Sequence, residues 1–136
     1  MKRLVIALAI ASALSACAYA KTPSDRLLTA LIQVESSGND KAVGDNGKAV
    51  GCLQIRKEVI DDVNRIYGTD YTLADRRDRA KSMEICRRYI SHYATEKRLG
   101  RSVRNEDMAR IWNGGPNGHR KGATNKYWTK VKRAMS

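Results

Sequence analysis

The sequence predicts an α+β domain that is mainly helical and carries one small β-hairpin. Apolar residues recur at three- and four-residue spacing in five segments, which is typical of helices that bury one face. A tight-turn signal, Asp45-Asn46-Gly47, lies between two short segments and predicts the hairpin. The 136 residues fit a single domain, without a repeat, a low-complexity tract or an interior proline-rich linker.

The first helix and the hairpin are predicted in residues 22–55. The helix-start signal Thr22-Pro23-Ser24 precedes apolar residues at helical spacing that continue to about Glu35. Residues 36–40 are helix breakers and end this helix. Residues 41–55 are expected to form the hairpin, with Gln54 on an otherwise apolar strand.

Four further helices are predicted after the hairpin. Apolar spacing predicts the second helix over residues 59–67. A capping-box pattern at Thr72 and Asp75 predicts a long third helix directly behind it. Asn105 is predicted to cap a short fourth helix, and Thr124 is predicted to open the last one.

Residues 1–20 have the pattern of a secretory leader. Lys2 and Arg3 precede an apolar run about half as long as the roughly 20 residues that cross a bilayer. Cleavage after Ala20 fits an A-x-A site, and cleavage before Cys17 fits a lipobox, which would attach a lipid to that cysteine. We therefore expect an exported bacterial protein, either periplasmic or anchored to the outer membrane as a lipoprotein.

The charge balance of the chain is strongly basic. The formal net charge is +12, of which two charges belong to the leader, so residues 21–136 carry about +10. In an exported protein this field favours anionic cell-wall polymers or anionic lipid head groups, and a solvated basic surface is the plain alternative. No nucleic-acid partner is expected, because the cations are scattered without a basic arm or an aromatic ladder. We expect a monomer.

The cysteines and histidines do not predict a metal or cofactor site. His92 and His119 lie 27 positions apart, without partners at ligand spacing, and no nucleophilic triad or phosphate-binding loop is present. Cys52 and Cys86 remain in the folded domain. Export permits a disulfide between them, and two buried thiols are an equal alternative.

Glu35 and Asp45 are the two candidate catalytic carboxyl groups. Glu35 ends an apolar helix face, so burial is expected to raise its pKa, whereas Asp45 lies in a polar turn and is expected to stay ionised. Such a pair suits cleavage of a glycosidic bond, in which the leaving oxygen must be protonated. On spacing alone, a solvated glutamate and an ordinary turn are the competing interpretation.

The residues around these acids resemble a known signature. Glu-Ser at 35–36, followed by G-x-A-x-G-x-x-Q-I at 47–55, is similar to the pattern of soluble lytic transglycosylases and goose-type lysozymes. R-I-W-N-G-G-P-x-G at 110–118, with Tyr-Trp at 127–128, also resembles invertebrate-type lysozymes. The resemblance covers about residues 27–131. It departs from invertebrate-type lysozymes in cysteine content, since those proteins are rich in cysteine.

The resemblance implies a lysozyme-like catalytic domain over residues 21–136, with the hairpin beside the catalytic helix. Its substrate would be the peptidoglycan glycan strand, cut at the β-1,4 bond between N-acetylmuramic acid and N-acetylglucosamine. Glu35 would be the general acid/base, and Asp45 would stabilise the oxocarbenium ion or act as nucleophile. The implied sugar-binding residues are Ser36, Gln54, Asn113, Gly114, Gly115 and Tyr127.

Several alternatives remain open at the level of sequence. Gln54 could make a structural hydrogen bond, residues 113–115 could form a helix C-cap, and the aromatic residues Trp112, Tyr127 and Trp128 could pack in the core rather than on sugars. The same glutamate could hydrolyse the bond or catalyse lytic transglycosylation, which leaves a 1,6-anhydro end. A non-catalytic basic protein that binds the cell wall is the alternative from another functional class.

Overall fold

The computed structural model describes residues 21–136, so the predicted leader and Cys17 lie outside the described residues. The described part contains six α-helices and one two-stranded antiparallel sheet, which confirms the predicted α+β, mainly helical class. The elements are α1 (Asp25–Ser36), β1 (Val43–Gly44), β2 (Ala49–Val50), α2 (Lys57–Tyr67), α3 (Arg79–Tyr93), α4 (Glu96–Leu99), α5 (Asn105–Gly114) and α6 (Asn125–Ala134).

Helix α1 forms where the sequence predicts it. The Ser24 hydroxyl caps its first turn by accepting a hydrogen bond from the Leu27 backbone N–H at 3.2 Å. The helix ends at Ser37, whose left-handed backbone donates its N–H to the Gln33 carbonyl at 3.0 Å. Glu35 therefore lies in the last turn of a helix whose apolar face is buried.

The hairpin is shorter than predicted. Val43 pairs with Val50, and Gly44 pairs with Ala49, across a turn in which Asp45 and Asn46 adopt left-handed backbone angles. The Lys48 N–H donates to the Asp45 carbonyl at 3.1 Å, so the central residues of the turn are Asn46 and Gly47. Both have left-handed φ values, 53° and 87°, which match the right-handed twist of a two-stranded hairpin. The sheet thus holds the turn that carries Asp45.

The predicted position of Gln54 on a strand is wrong. Gln54 lies in a tight turn over residues 51–54, with a left-handed φ of 51°, and only Ile55 bridges back to Val50. Gly51, with a φ of 85°, begins this turn, and its carbonyl accepts the Gln54 backbone N–H at 3.1 Å. The turn aims the Gln54 side chain to one side of the hairpin.

The long third helix predicted from Thr72 is interrupted. The capping box exists, since the Thr72 backbone N–H donates to Asp75 at 2.8 Å, but it opens a 3₁₀ turn over Leu73–Arg77. Asp78 has an extended backbone and caps the separate helix α3. Arg76 explains the interruption, because its buried guanidinium donates hydrogen bonds to carbonyl groups around the hairpin, where a continuous helix would not place it.

The C-terminal half contains one helix that the sequence did not reveal. Helix α4 has four residues behind a Thr95 cap, which is too short to show a helical period. Helix α5 is capped at Arg104, whose backbone N–H donates to Asp107 at 2.8 Å, so the prediction of an Asn105 cap is off by one residue. Helix α6 begins directly after Thr124, as predicted.

The core joins one face of each long helix. Helix α6 packs on α1 and α5, while α3 packs on α2 and α5. Fully buried side chains include Leu27, Leu31, Ile85, Ile90, Ile111 and Val131. This packing fixes the end of α1 against α5 and α6.

The disulfide alternative is not realised in the described residues. Cys52 and Cys86 are both free, and both are buried in the core. They pack as small apolar side chains, as the second alternative predicted. Over residues 21–136, no helix has the length and apolar content that crossing a bilayer requires.

Candidate active site

A cleft of about 310 Å³ lies where the end of α1, the hairpin, the start of α2 and the end of α5 meet. Its lining contains both carboxyl groups singled out in the sequence. The lining residues are Glu35, Asp45, Ala49, Gln54, Ile55, Arg56, Val59, Trp112 and Asn113. Four structural elements, from three regions of the sequence, therefore contribute to one concave site.

Glu35 is the buried acid of this cleft. Burial raises its pKa from 4.5 to about 7, and the hydroxyl of Tyr127 and the side chain of Trp112 lower it in part. The Tyr127 hydroxyl donates a hydrogen bond to Glu35 Oε1 at 2.8 Å. A substantial fraction of Glu35 is therefore protonated near neutral pH, as the position of this residue on an apolar helix predicted.

Tyr127 lies differently from its predicted place in the sugar groove. Its hydroxyl is engaged with Glu35, and its ring packs against the core rather than lining the cleft. Burial and the neighbouring Glu35 carboxyl raise the pKa of Tyr127 well above its usual value. Sequence reasoning missed this contact because the two residues are 92 positions apart and no local pattern connects them.

Asp45 occupies the polar side of the cleft. It is the first residue of the hairpin turn, with a φ of 51°, and its side chain is 44% exposed. The Arg56 guanidinium forms an ion pair with its carboxylate. Arg56 lies immediately before α2 and lines the cleft, and sequence reasoning did not single it out.

Gln54 and Asn113 both line the cleft, as predicted for sugar-binding residues. Gln54 also makes structural hydrogen bonds, because its Nε2 donates to the Gly51 carbonyl at 3.0 Å and to the Ala42 carbonyl at 3.3 Å. A Cβ atom at Gly44 would overlap Gln54 Oε1, so the hairpin backbone and this amide are packed together. The structural role of Gln54 and its place in the cleft are both realised.

Ser36 lies outside the cleft lining, in a structural position. Its hydroxyl donates to the Cys52 carbonyl at 2.8 Å and accepts the Asn39 backbone N–H at 3.1 Å. These bonds tie the end of α1 to the turn after the hairpin. The prediction placed Ser36 in the sugar-binding cleft. The structure instead places it where its hydrogen bonds hold the end of α1, next to Glu35.

Gly114 and Gly115 also lie outside the cleft lining. A Cβ atom at Gly114 would press on the Thr124 side chain at 2.6 Å, and the Gly114 carbonyl accepts the Lys121 ammonium at 2.6 Å. Gly115, with a φ of 86°, ends α5 and donates its N–H to the Ile111 carbonyl at 2.9 Å. The helix C-cap interpretation describes Gly115, and Gly114 packs against the segment that precedes α6.

The two tryptophans lie in different environments in the structure. Trp112 lines the cleft and meets Tyr89 edge to face, with ring centroids 5.7 Å apart. Trp128 packs against the core from α6. In the part of the chain that the structure describes, no group of His, Cys, Asp and Glu is arranged to hold a metal ion.

Comparisons with known proteins agree with this architecture. The family model of the transglycosylase SLT domain matches residues 13–134. The lysozyme of Tapes japonica is 26% identical, with a TM-score of 0.67, over 83% of this chain and 94% of that chain. The inhibitor-bound lysozyme from Meretrix lusoria is 28% identical, with a TM-score of 0.69, over 81% of this chain and 88% of that chain.

A third similar structure is the complex of Aeromonas hydrophila PliI with Meretrix lusoria lysozyme. The matched chain is 26% identical, with a TM-score of 0.69, over 81% of this chain and 88% of that chain. No curated protein sequence matches the chain.

The fold and the matches together confirm the lysozyme-like resemblance seen in the sequence. The family model spans nearly the whole chain, and solved lysozymes match its fold over more than four fifths of its length. The chain belongs to the transglycosylase SLT domain family, and it is a lysozyme-like peptidoglycan glycosidase, either a hydrolase or a lytic transglycosylase.

Proposed function

We propose that the chain cleaves the β-1,4 bond between N-acetylmuramic acid and N-acetylglucosamine, with Glu35 as general acid and then general base. The observation that carries the proposal is the Glu35 carboxyl, which lines the cleft and has a pKa of about 7. A general acid is most effective when its pKa lies near the working pH. Glu35 meets this condition at neutral pH.

The surroundings of Glu35 support both halves of the reaction. The protonated carboxyl donates its proton to the glycosidic oxygen as the bond breaks and the sugar becomes oxocarbenium-like. The Tyr127 hydroxyl donates to Oε1, so Oε2 is the oxygen that would carry the proton toward the substrate, beside the Trp112 side chain. Once the proton has left, the Tyr127 hydrogen bond stabilises the carboxylate, which then accepts a proton from the attacking hydroxyl.

We propose hydrolysis as the first of two outcomes, because a second carboxylate lines the same cleft. Asp45 reaches the cleft from the hairpin, whereas Glu35 reaches it from α1. An ionised aspartate in this position would stabilise the oxocarbenium ion or attack it as a nucleophile, and water would complete the reaction.

Lytic transglycosylation is the second candidate, and the Arg56 ion pair favours it. Arg56 offsets the charge of Asp45, which weakens the stabilisation that this carboxylate gives to a cationic intermediate. In that reaction the 6-hydroxyl of muramic acid attacks, and Glu35 alone transfers the protons. The product has a 1,6-anhydro end instead of a reducing end.

Substrate contacts and cellular location complete the proposal. Gln54, Asn113 and Trp112 line the cleft and would bind the sugars, the amides through hydrogen bonds and the indole through its ring. The leader pattern supports export to the periplasm, with attachment to the outer membrane if Cys17 carries a lipid.

Mass spectrometry of the muropeptides released from purified peptidoglycan tests the proposal. The wild-type chain is expected to release fragments, and Glu35→Gln is expected to release none while keeping its helical circular dichroism spectrum. Reducing ends would identify hydrolysis, and anhydro ends would identify transglycosylation. Absence of both products from the folded wild-type chain would refute the enzymatic assignment of Glu35 and leave the wall-binding alternative.

Asp45→Asn separates the two reactions further. A loss of about a hundredfold or more in the rate of product release would support the two-carboxylate mechanism. A change of less than about threefold would reduce Asp45 to a turn residue and contradict that mechanism.

A further inference from the structure

The basic charge of the chain is concentrated at its C-terminal end. Residues 21–107 contain 17 Lys or Arg and 14 Asp or Glu. Residues 108–136 contain seven Lys or Arg and no Asp or Glu. The net charges of these two segments are therefore +3 and +7. The proposed function does not use this asymmetry, because the cleft contains only one cation, Arg56.

Helix α6 separates its apolar and basic residues onto different sides. Val131 is fully buried, and Tyr127 and Trp128 are half-buried against the core. Lys126, Lys130 and Arg133 are exposed on the opposite side, at a spacing of four and three residues. Side chains at this spacing lie one above the other, roughly 5–6 Å apart, so they form a basic row along the outer face of α6.

Within residues 108–136, Arg110 pairs with Glu106 at 3.0 Å, and the cations that follow it have no carboxylate partner among the described residues. Eight of the 17 cations in residues 21–107 form ion pairs. Among the described residues, none of the six exposed cations from residue 120 onward forms one. These six are Arg120, Lys121, Lys126, Lys130, Lys132 and Arg133.

This arrangement is unfavourable for the helix itself. Like charges at spacings of three and four residues repel each other, and the helix dipole disfavours Lys126 in the first turn, although it favours Arg133 in the last turn. No acidic residue in α6 offsets these effects. A basic row that weakens its own helix is better explained by an external anion than by folding.

We propose that the basic row of α6 binds a linear phosphodiester polymer of the cell envelope while the cleft acts on the glycan. Helix α6 carries Tyr127, which contacts Glu35, on its inner side and the basic row on its outer side, so a bound polymer would lie on the far side of α6 from the active site. The interaction is electrostatic, and each bound phosphate displaces counterions, which makes the affinity depend on salt.

The side chains of the outer face favour a polymer over a bilayer or a single-stranded nucleic acid. A helix that enters a membrane interface needs Trp, Phe or Leu beside its basic residues, and the apolar residues of α6 point into the core. The exposed uncharged residues of α6 are Asn125, Thr129 and Ala134. No aromatic ring lies on the outer face to stack on bases.

The experiment measures binding of the full chain to purified poly(glycerol phosphate) by fluorescence anisotropy over a salt series. The test variant is Lys126→Gln/Lys130→Gln/Arg133→Gln. The matched control is Lys41→Gln/Arg77→Gln/Lys97→Gln, which removes three exposed cations without carboxylate partners from other parts of the molecule. Both variants lose the same net charge, and binding is measured without peptidoglycan, so the result does not depend on catalysis.

We expect the α6 variant to lose about tenfold or more in affinity at ~50 mM salt, and its salt slope to fall by about 2. The control is expected to lose less than about twofold. Equal losses in the two variants would overturn the proposal in favour of a generally basic surface. Binding to phosphatidylglycerol vesicles but not to the polymer would overturn it in favour of a membrane.

Discussion

Burial and the side chains of Tyr127 and Trp112 together set the pKa of Glu35. Burial favours the neutral form of Glu35, and the Tyr127 hydroxyl favours the charged form, so the pKa of about 7 is a balance of opposing effects. The balance allows the same carboxyl to give up a proton and take one back at neutral pH. Tyr127 is therefore a positioning residue that acts through Glu35.

Tyr127→Phe is expected to shift the alkaline limb of the kcat/KM profile upward by about one pH unit. Loss of the hydroxyl removes an interaction that lowers the Glu35 pKa, so the carboxyl stays protonated to higher pH. The rate of peptidoglycan solubilisation measured between pH 4 and pH 9 checks this prediction.

Tyr67→Phe is the control for that experiment. Its hydroxyl donates to the Arg88 carbonyl at 2.7 Å, away from the cleft, and its removal is expected to leave the profile unchanged. If Tyr127→Phe lowered the rate equally at every pH, the hydroxyl would not be tuning the acid, and its role would be packing alone.

At the scale of elements, the turn after the hairpin is held by a contact between two backbones. A Cβ atom at Gly51 would overlap the Arg76 carbonyl oxygen, and this carbonyl also accepts the buried Ser82 hydroxyl at 2.9 Å. The Arg76 side chain donates to the Lys48 and Ile55 carbonyls. The 3₁₀ turn thus supports the segment that presents Gln54 to the cleft.

Gly51→Ala is expected to destabilise the fold by about 3 kcal/mol or more. It combines left-handed backbone strain of ~1–2 kcal/mol with an overlap against backbone that cannot move aside. Urea unfolding checks the value.

Gly47→Ala separates strain from overlap. Gly47 has a similar φ of 87°, but its Cβ would meet nothing within 4 Å, so only the strain of ~1–2 kcal/mol is expected. Equal losses at the two glycines would show that the contact with Arg76 contributes nothing to stability.

Local patterns in the sequence predicted the elements that local forces determine. The end of α1, the hairpin turn and the start of α6 follow from caps, breakers and apolar spacing. Local patterns did not predict the 3₁₀ turn at Leu73–Arg77. In this turn the buried Arg76 guanidinium donates hydrogen bonds to carbonyl groups of another part of the chain, and such contacts leave no local pattern. Helix α4 was too short to carry a period.

Across the whole molecule, the sequence predicted some features of the site and not others, for the same physical reason. The sequence predicted Glu35, Asp45, Gln54 and Asn113, and all four line one cleft. It did not predict the Tyr127 bond to Glu35 or the Arg56 pair with Asp45, because both depend on how distant segments pack. Of the signature glycines, Gly114 packs against Thr124 and Gly115 caps α5, and neither lines the cleft.

Burial of Glu35 lowers the free energy of unfolding of the whole domain when the carboxyl is ionised. Below pH 4.5 the carboxyl is protonated in both the folded and the unfolded chain, so burial carries no ionisation penalty. As the pH rises from 4.5 to about 7, the unfolded chain releases the proton first and the folded state loses stability. Above that range the penalty is constant. It amounts to about 3 kcal/mol at most.

The measurement that tests this account most directly compares the free energy of unfolding of the wild-type chain and Glu35→Gln at pH 4 and pH 8. Other titrating groups are common to both proteins and cancel in the difference. We predict that Glu35→Gln is more stable relative to wild type at pH 8 than at pH 4, by about 3 kcal/mol. A difference that does not change between the two pH values would contradict the claim that the fold holds Glu35 as a buried, proton-donating acid.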